Sequence, residues 1–142
     1  MIGNLSRQIG QPEMGGVTRG QKKVLVVDDY DEVRLVTRRA LESFGYTVVE
    51  ASNGAEAVKL AQTETPDLIL MDLSMPHMDG FATMHRLRKM LGLRDVPVIA
   101  LSAHTAREIR DDALAAGCRD FITKPVPLEK LRAALARFLP LD

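Results

Sequence analysis

From Lys23 onward the chain alternates short apolar runs with stretches in which apolar residues recur at helical spacing, and it does so five times. The runs are KVLVV, YTVVEA, DLILMD, VPVIALS and RDFIT. They are β-branched or apolar almost throughout, as strands covered on both faces are. After the first run, Val33, Val36, Ala40, Leu41 and Phe44 share one helical face, and Gly45 ends that helix. Ala55, Val58 and Ala61 form a weaker pattern behind Asn53, an N-cap residue type. Phe81, Met84, Leu87 and Leu91 make the third helix. Ala106, Ile109, Ala113 and Ala116 make the fourth, closed by Gly117, and Leu128, Leu131, Leu135 and Phe138 the fifth.

Five such βα units predict an α/β fold: a doubly wound, five-stranded parallel sheet with right-handed crossovers and helices on both faces. The expected strand order is 2-1-3-4-5, the (βα)5 flavodoxin-like arrangement, with ligands bound outside the carboxyl ends of the strands near the switch between strands 1 and 3. A chain of 142 residues suits one domain. Aromatics are 4% and Trp is absent, so its core is aliphatic. Residues 1–21, MIGNLSRQIGQPEMGGVTRGQ, show no periodicity and read as a flexible N-terminal extension, with residues 22–142 as the folded domain. GGVTRGQKK has phosphate-loop glycine spacing, but Gln21 stands where Lys is needed and the stretch precedes a strand instead of following one.

Lys plus Arg equal Asp plus Glu at 19 each. That balance argues against direct nucleic-acid binding, which wants a basic face. No apolar run approaches the roughly 20 residues a membrane span needs, and no signal-peptide centre is present, so a cytoplasmic location is expected and no membrane partner. The single cysteine, Cys118, cannot form an internal disulfide, which fits a reducing compartment.

The polar residues gather where the fold predicts a ligand. Strand 1 ends at Asp28 and Asp29, strand 3 at Asp72, strand 4 at Ser102, and strand 5 runs into Lys124. In the 2-1-3-4-5 order these four strands are consecutive neighbours. An Asp at a strand end is ordinarily a turn or cap residue; it is the coincidence of four strand ends that points to a site. Two carboxylates ~4 Å apart repel by about 4 kcal/mol at an effective dielectric near 20, and one Lys cannot offset three of them. A hard divalent ion with oxygen ligands can, and Mg2+ commonly takes a few carboxylates and leaves its other positions to water and phosphate oxygens. Without metal, at least one carboxylate is expected to have a raised pKa. A carboxylate held beside Mg2+ and a Lys can attack phosphorus and become an acyl phosphate.

Taken in order, DD at 28–29, MDLSMPHMDG from Met71 to Gly80, LSA at 101–103 and KP at 124–125 resemble the receiver domain of two-component response regulators, over roughly residues 22–142. The resemblance implies that Asp72 accepts a phosphoryl group from a phosphohistidine of a sensor histidine kinase or histidine phosphotransfer protein. It implies Asp29 as a direct Mg2+ ligand, Asp28 as a ligand largely through water, and the Ser74 backbone carbonyl beside Asp72 in the same set. Lys124 would pair with the phosphoryl group, and the Lys124–Pro125 peptide would be cis. Ser102 and Phe121 fill the switch positions; Phe121 lacks the hydroxyl that many members carry as Tyr. Ser74 and His104 stand where the family tunes the lifetime of the acyl phosphate.

The signal is expected to reach the face built by helix 4, strand 5 and helix 5, roughly residues 105–138, where a downstream protein or a second copy would dock. Only four residues follow Phe138, so a stand-alone receiver, or one excised from a hybrid kinase, is expected. Two other readings are weighed against this one. Asp29-Tyr30-Asp31 with Val33 satisfies the DxDxV pattern of haloacid-dehalogenase-type phosphatases, which would make Asp29 the nucleophile, but leaves Asp72 unexplained. A degenerate receiver that binds partners without phosphorylation is the other, and the intact Asp28, Asp29, Asp72, Ser102 and Lys124 speak against it.

Overall fold

A computed structural model describes residues 21–74, 80–90, 92–103 and 107–141. The elements run β1 (Lys23–Val27), α1 (Asp31–Ser43), β2 (Thr47–Ala51), α2 (Gly54–Glu64), β3 (Leu68–Asp72), α3 (Gly80–Arg88), β4 (Val98–Ser102), α4 (Arg107–Ala115), β5 (Asp120–Thr123) and α5 (Leu128–Phe138). The strands form one parallel sheet in the order β2-β1-β3-β4-β5. Both the five-unit reading and the strand order are therefore correct. The expected extension (residues 1–20 of it), His104, Leu91 and Ala106 lie outside the described residues.

Two cores explain why the strands are apolar at nearly every position. Leu25, Val27, Ile69, Met71, Val98, Ala100 and Phe121 face one side, with Ala57, Ala61, Met84, Leu87 and Ala113 from α2, α3 and α4. Val24, Val26, Leu68, Leu70, Ile99, Leu101 and Ile122 face the other, with Leu41 from α1 and Leu131, Ala134 and Leu135 from α5. Side chains alternate across a strand, so a sheet covered twice needs both parities apolar. Burying each large aliphatic contributes about 1.5–3 kcal/mol.

Helix ends follow local chemistry. Asn53 caps α2 by accepting the Glu56 N–H at 2.8 Å, and the Glu56 carboxylate accepts the Ser52 N–H at 2.6 Å in return. After α1, Gly45 takes φ 106° while its N–H donates to the Glu42 carbonyl and that of Tyr46 to the Leu41 carbonyl. This left-handed cap satisfies carbonyls the helix leaves open.

Helix α1 departs from the sequence reading. It starts at Asp31, two residues ahead of Val33, the first member of the apolar stripe. Its apolar stripe is also rolled away from the sheet: Val33 and Val36 are exposed, the latter at 65%, and Leu41 is its one fully buried residue. The residues turned inward are Arg34, Thr37, Ala40 and Leu41. Leu128, expected on the core face of α5, is likewise exposed at 59%.

Candidate functional site

β1 and β3 are hydrogen-bonded neighbours, so the acids at their ends arrive side by side. Asp28, Asp29 and Asp72 each offer a carboxylate oxygen within 4.8 Å of the others. β4 adds the fully buried Ser102 next to Asp72, and the Lys124 N–H donates to the Ser102 carbonyl at 2.8 Å, which carries Lys124 to the same edge. Lys124 Nζ donates to Asp72 Oδ2 at 2.7 Å and lies 3.5 Å from Asp28 Oδ2. The Lys124–Pro125 peptide is cis. The structure thus brings together Asp28, Asp29, Asp72, Ser102 and Lys124, while Ser52 and Asn53 at the end of β2 are occupied in capping α2.

The remaining contacts shape the pocket. Asp28 Oδ1 accepts the Tyr30 N–H at 2.9 Å, and Asp72 Oδ1 accepts the Ser74 N–H at 2.7 Å. Ser74 Oγ in turn accepts the Ala103 N–H at 2.8 Å and so ties the segment after β3 to the segment after β4. Phe121 is buried among the α2–α4 side of the core. Burial pushes the Asp28 carboxyl above its ordinary pKa; the Tyr30 N–H and Lys124 pull the other way, and Asp72 adds to the rise. A raised carboxylate was expected in the cluster, but burial, more than the crowding of acids, is what raises this one.

The donor set fits a divalent cation. It consists of hard carboxylate oxygens, and Asp29 Oδ1 is buried with no hydrogen-bond partner among the described residues. A buried, unpaired carboxylate oxygen is costly unless something positive meets it. Mg2+ suits such a set, and Asp28, Asp29 and Asp72 could each offer it a carboxylate oxygen.

A groove of about 580 Å³ opens beside the acids, lined by Asp28, Val33, Val36, Lys124, Val126 and Leu128 among others. A second hollow of about 700 Å³ lies at the opposite end of the sheet, near Pro66 and Pro97, away from the cluster. That hollow is the larger of the two, but it touches none of the clustered acids, whereas the groove borders them through Asp28 and Lys124.

Two residues near the site have structural roles that the sequence reading did not assign. A Cβ on Gly80 would stand 2.8 Å from Leu73 Cδ2, the end of a side chain that can swing away, and 3.2 Å from the Asp72 carbonyl oxygen, a tight contact with backbone, so the glycine eases the close approach of α3 to β3. Arg34 donates to the Asp28 carbonyl at 2.8 Å. Its place five residues after Asp29, at the start of a helix, was the available signal.

Comparison with known proteins agrees with this geometry. The response regulator receiver domain family matches residues 24–136. An uncharacterized 14.6 kDa protein of Leptolyngbya boryana is 42% identical over 116 residues, covering 81% of this chain and 88% of that one. The chain spans about half the length of the transcriptional regulators it also matches. Among solved structures, the Vibrio cholerae chemotaxis protein CheY4 aligns with a TM-score of 0.80 at 33% identity, over 84% of this chain and 99% of that one. The receiver domain of the Pseudomonas aeruginosa sensor histidine kinase PA1611, solved with magnesium coordinated in its active-site cleft, aligns with a TM-score of 0.76 at 33% identity, over 83% and 97%. Among the described residues no helix is long and apolar enough to cross a membrane. The chain belongs to the response regulator receiver domain family of two-component systems.

Proposed function

We propose that Asp72 is the phosphoacceptor, loaded from a phosphohistidine of a sensor histidine kinase or histidine phosphotransfer protein. The observation that carries this is the placement of Asp72: one carboxylate, buried, with the Lys124 ammonium at 2.7 Å on one oxygen and two more acids at its side. An Asp72 oxygen forms the new bond to phosphorus as the phosphorus–nitrogen bond breaks, and the imidazole leaves with that electron pair. Asp28, Asp29, Asp72 and the Ser74 carbonyl would hold Mg2+, which supplies positive charge against the transferring group's oxygens. Lys124 pairs with the phosphoryl oxygens, and the Ser102 hydroxyl donates to them.

Phosphorylation adds roughly −1.5 to −2 charge at one strand end. Drawing Ser102 and Lys124 toward it biases β4 and β5, and Phe121 on β5 is the side chain that repacks. A coupling of about 1–3 kcal/mol is typical for such a switch. The surface it reaches is the α4–β5–α5 face, which offers a downstream protein or a second copy a docking site. Ser74 and His104 stand where the family tunes the lifetime of the acyl phosphate, and a loop histidine without that role is the other reading of His104.

Asp29 as a phosphatase nucleophile is not favoured, since α1 begins at Asp31 and no insertion separates it from β1. The test is incubation with acetyl phosphate and Mg2+ followed by intact-mass measurement. A phosphoryl mass that disappears in Asp72→Asn supports the reading. A gain that survives there and is lost in Asp29→Asn supports the phosphatase, and no gain in the unaltered chain supports a phosphorylation-independent binding module.

A further inference from the structure

Helix α1 turns an arginine, and not its valines, toward the sheet. The Arg34 side chain is 14% exposed, and a charge drawn that far from water needs full pairing. Its guanidinium donates in three directions: Nε to Glu50 Oε1 at 3.0 Å, Nη2 to Asp31 Oδ1 at 2.6 Å, and Nη1 to the Asp28 carbonyl at 2.8 Å. Burial works against the charge, but the hydrogen bonds to Asp31 and Glu50 outweigh it and hold the arginine pKa above its ordinary value. Glu50 is itself held by Arg38 Nη1 at 2.7 Å, so the fork is anchored on β2.

The third contact differs from the first two. The Asp28 carbonyl belongs to the peptide unit that joins Asp28 to Asp29. The opposite side of Asp28 is also fixed, because its N–H donates to the Ala51 carbonyl at 3.1 Å. The Asp29 carboxylate has a buried oxygen with no hydrogen bond of its own, so its backbone sets where it points.

We propose that Arg34 is a positioning residue for the divalent-cation site: it clamps the Asp28–Asp29 peptide so that the Asp29 carboxylate faces the acid cluster. The inference rests on the Mg2+ site proposed above and concerns a group that never touches the ion. Groups that orient metal ligands are typically worth 10–100-fold in metal affinity. A lysine cannot replace this one, since one ammonium lacks the planar fork that serves two carboxylates and a carbonyl together.

The test is a calorimetric Mg2+ titration of the metal-free protein, with the Asp29 amide resonance followed by NMR. Arg34→Ala and Arg34→Lys are each expected to raise the Mg2+ Kd about ten-fold or more, and to shift the Asp29 amide before metal is added. Glu50→Gln, which weakens an ion pair but leaves the Asp28 contact, is expected to change Kd by less than about two-fold. If Arg34→Ala does not fold, Arg34→Lys carries the comparison. A wild-type Kd in Arg34→Lys, or an equal loss in Glu50→Gln, overturns the proposal. An unaltered chain that binds no Mg2+ overturns the metal site and this inference with it, so the two failures are told apart.

Discussion

Replacing Asp28 by Asn asks how much repulsion the acid cluster stores. The substitution keeps the oxygen that accepts the Tyr30 N–H at 2.9 Å, so it removes charge and little else. In the metal-free protein Asp28 has ligand oxygens of Asp29 and Asp72 within 4.8 Å, and each such pair repels by at least about 3.5 kcal/mol at an effective dielectric near 20. Lys124, 3.5 Å away, offsets about 4.7 kcal/mol on the same scale. About 2 kcal/mol of repulsion is left on Asp28, before its burial is counted. Asp28→Asn therefore stabilises the metal-free protein by about 2 kcal/mol at neutral pH. The raised pKa of Asp28 gives the sign of the pH dependence. Its stabilising effect is fully present below the ordinary Asp range and is lost as pH rises through the raised folded-state value. The gain from the substitution is thus present at neutral pH and fades toward about pH 4. Urea unfolding with chelator, at neutral and acid pH, measures it. A variant no more stable than wild type at neutral pH, or one whose advantage persists undiminished in acid, would refute the reasoning.

Lys124→Met removes the cation 2.7 Å from Asp72; Mg2+ binding tightens because the ammonium no longer competes for the acids, while labelling by acetyl phosphate slows about 100-fold, the usual cost of one lost charge-stabilising donor. Calorimetry and timed mass spectra read the two effects separately. Gly80→Ala puts a Cβ 3.2 Å from the Asp72 carbonyl oxygen, closer than an ordinary contact, and is expected to shift the Asp72 amide resonance. Tyr46→Phe removes the buried 2.8 Å hydrogen bond to the Leu139 carbonyl and lowers stability by about 1–2 kcal/mol. Its Mg2+ affinity stays unchanged, because Tyr46 precedes β2 at the far end of the sheet.

The strands were legible because a sheet covered on both faces has little tolerance for polar residues within its central strands. KVLVV became Lys23–Val27 and VPVIALS became Val98–Ser102 with little lost at either end. The site was legible for a related reason: once the strand order is known, the residue that breaks each apolar run is the one delivered to the shared edge. The roll of α1 was not legible. Spacing places Val33 and Val36 on a common stripe, but not which flank of that stripe meets the sheet, and Arg34 won the inward position through Glu50, a partner on another element. Gly80 was hidden for a similar reason, since its value is a close approach between α3 and β3 that no local pattern records.

The most direct test locates the phosphoryl group itself. After reaction with acetyl phosphate and Mg2+, borohydride reduces an acyl phosphate to an alcohol and leaves other carboxylates untouched, so peptide mass spectrometry reports which residue carried it. Reduction is expected at Asp72 alone, abolished when Mg2+ is chelated beforehand. Reduction at Asp28 or Asp29, or labelling of Asp72 that ignores the chelator, would contradict it.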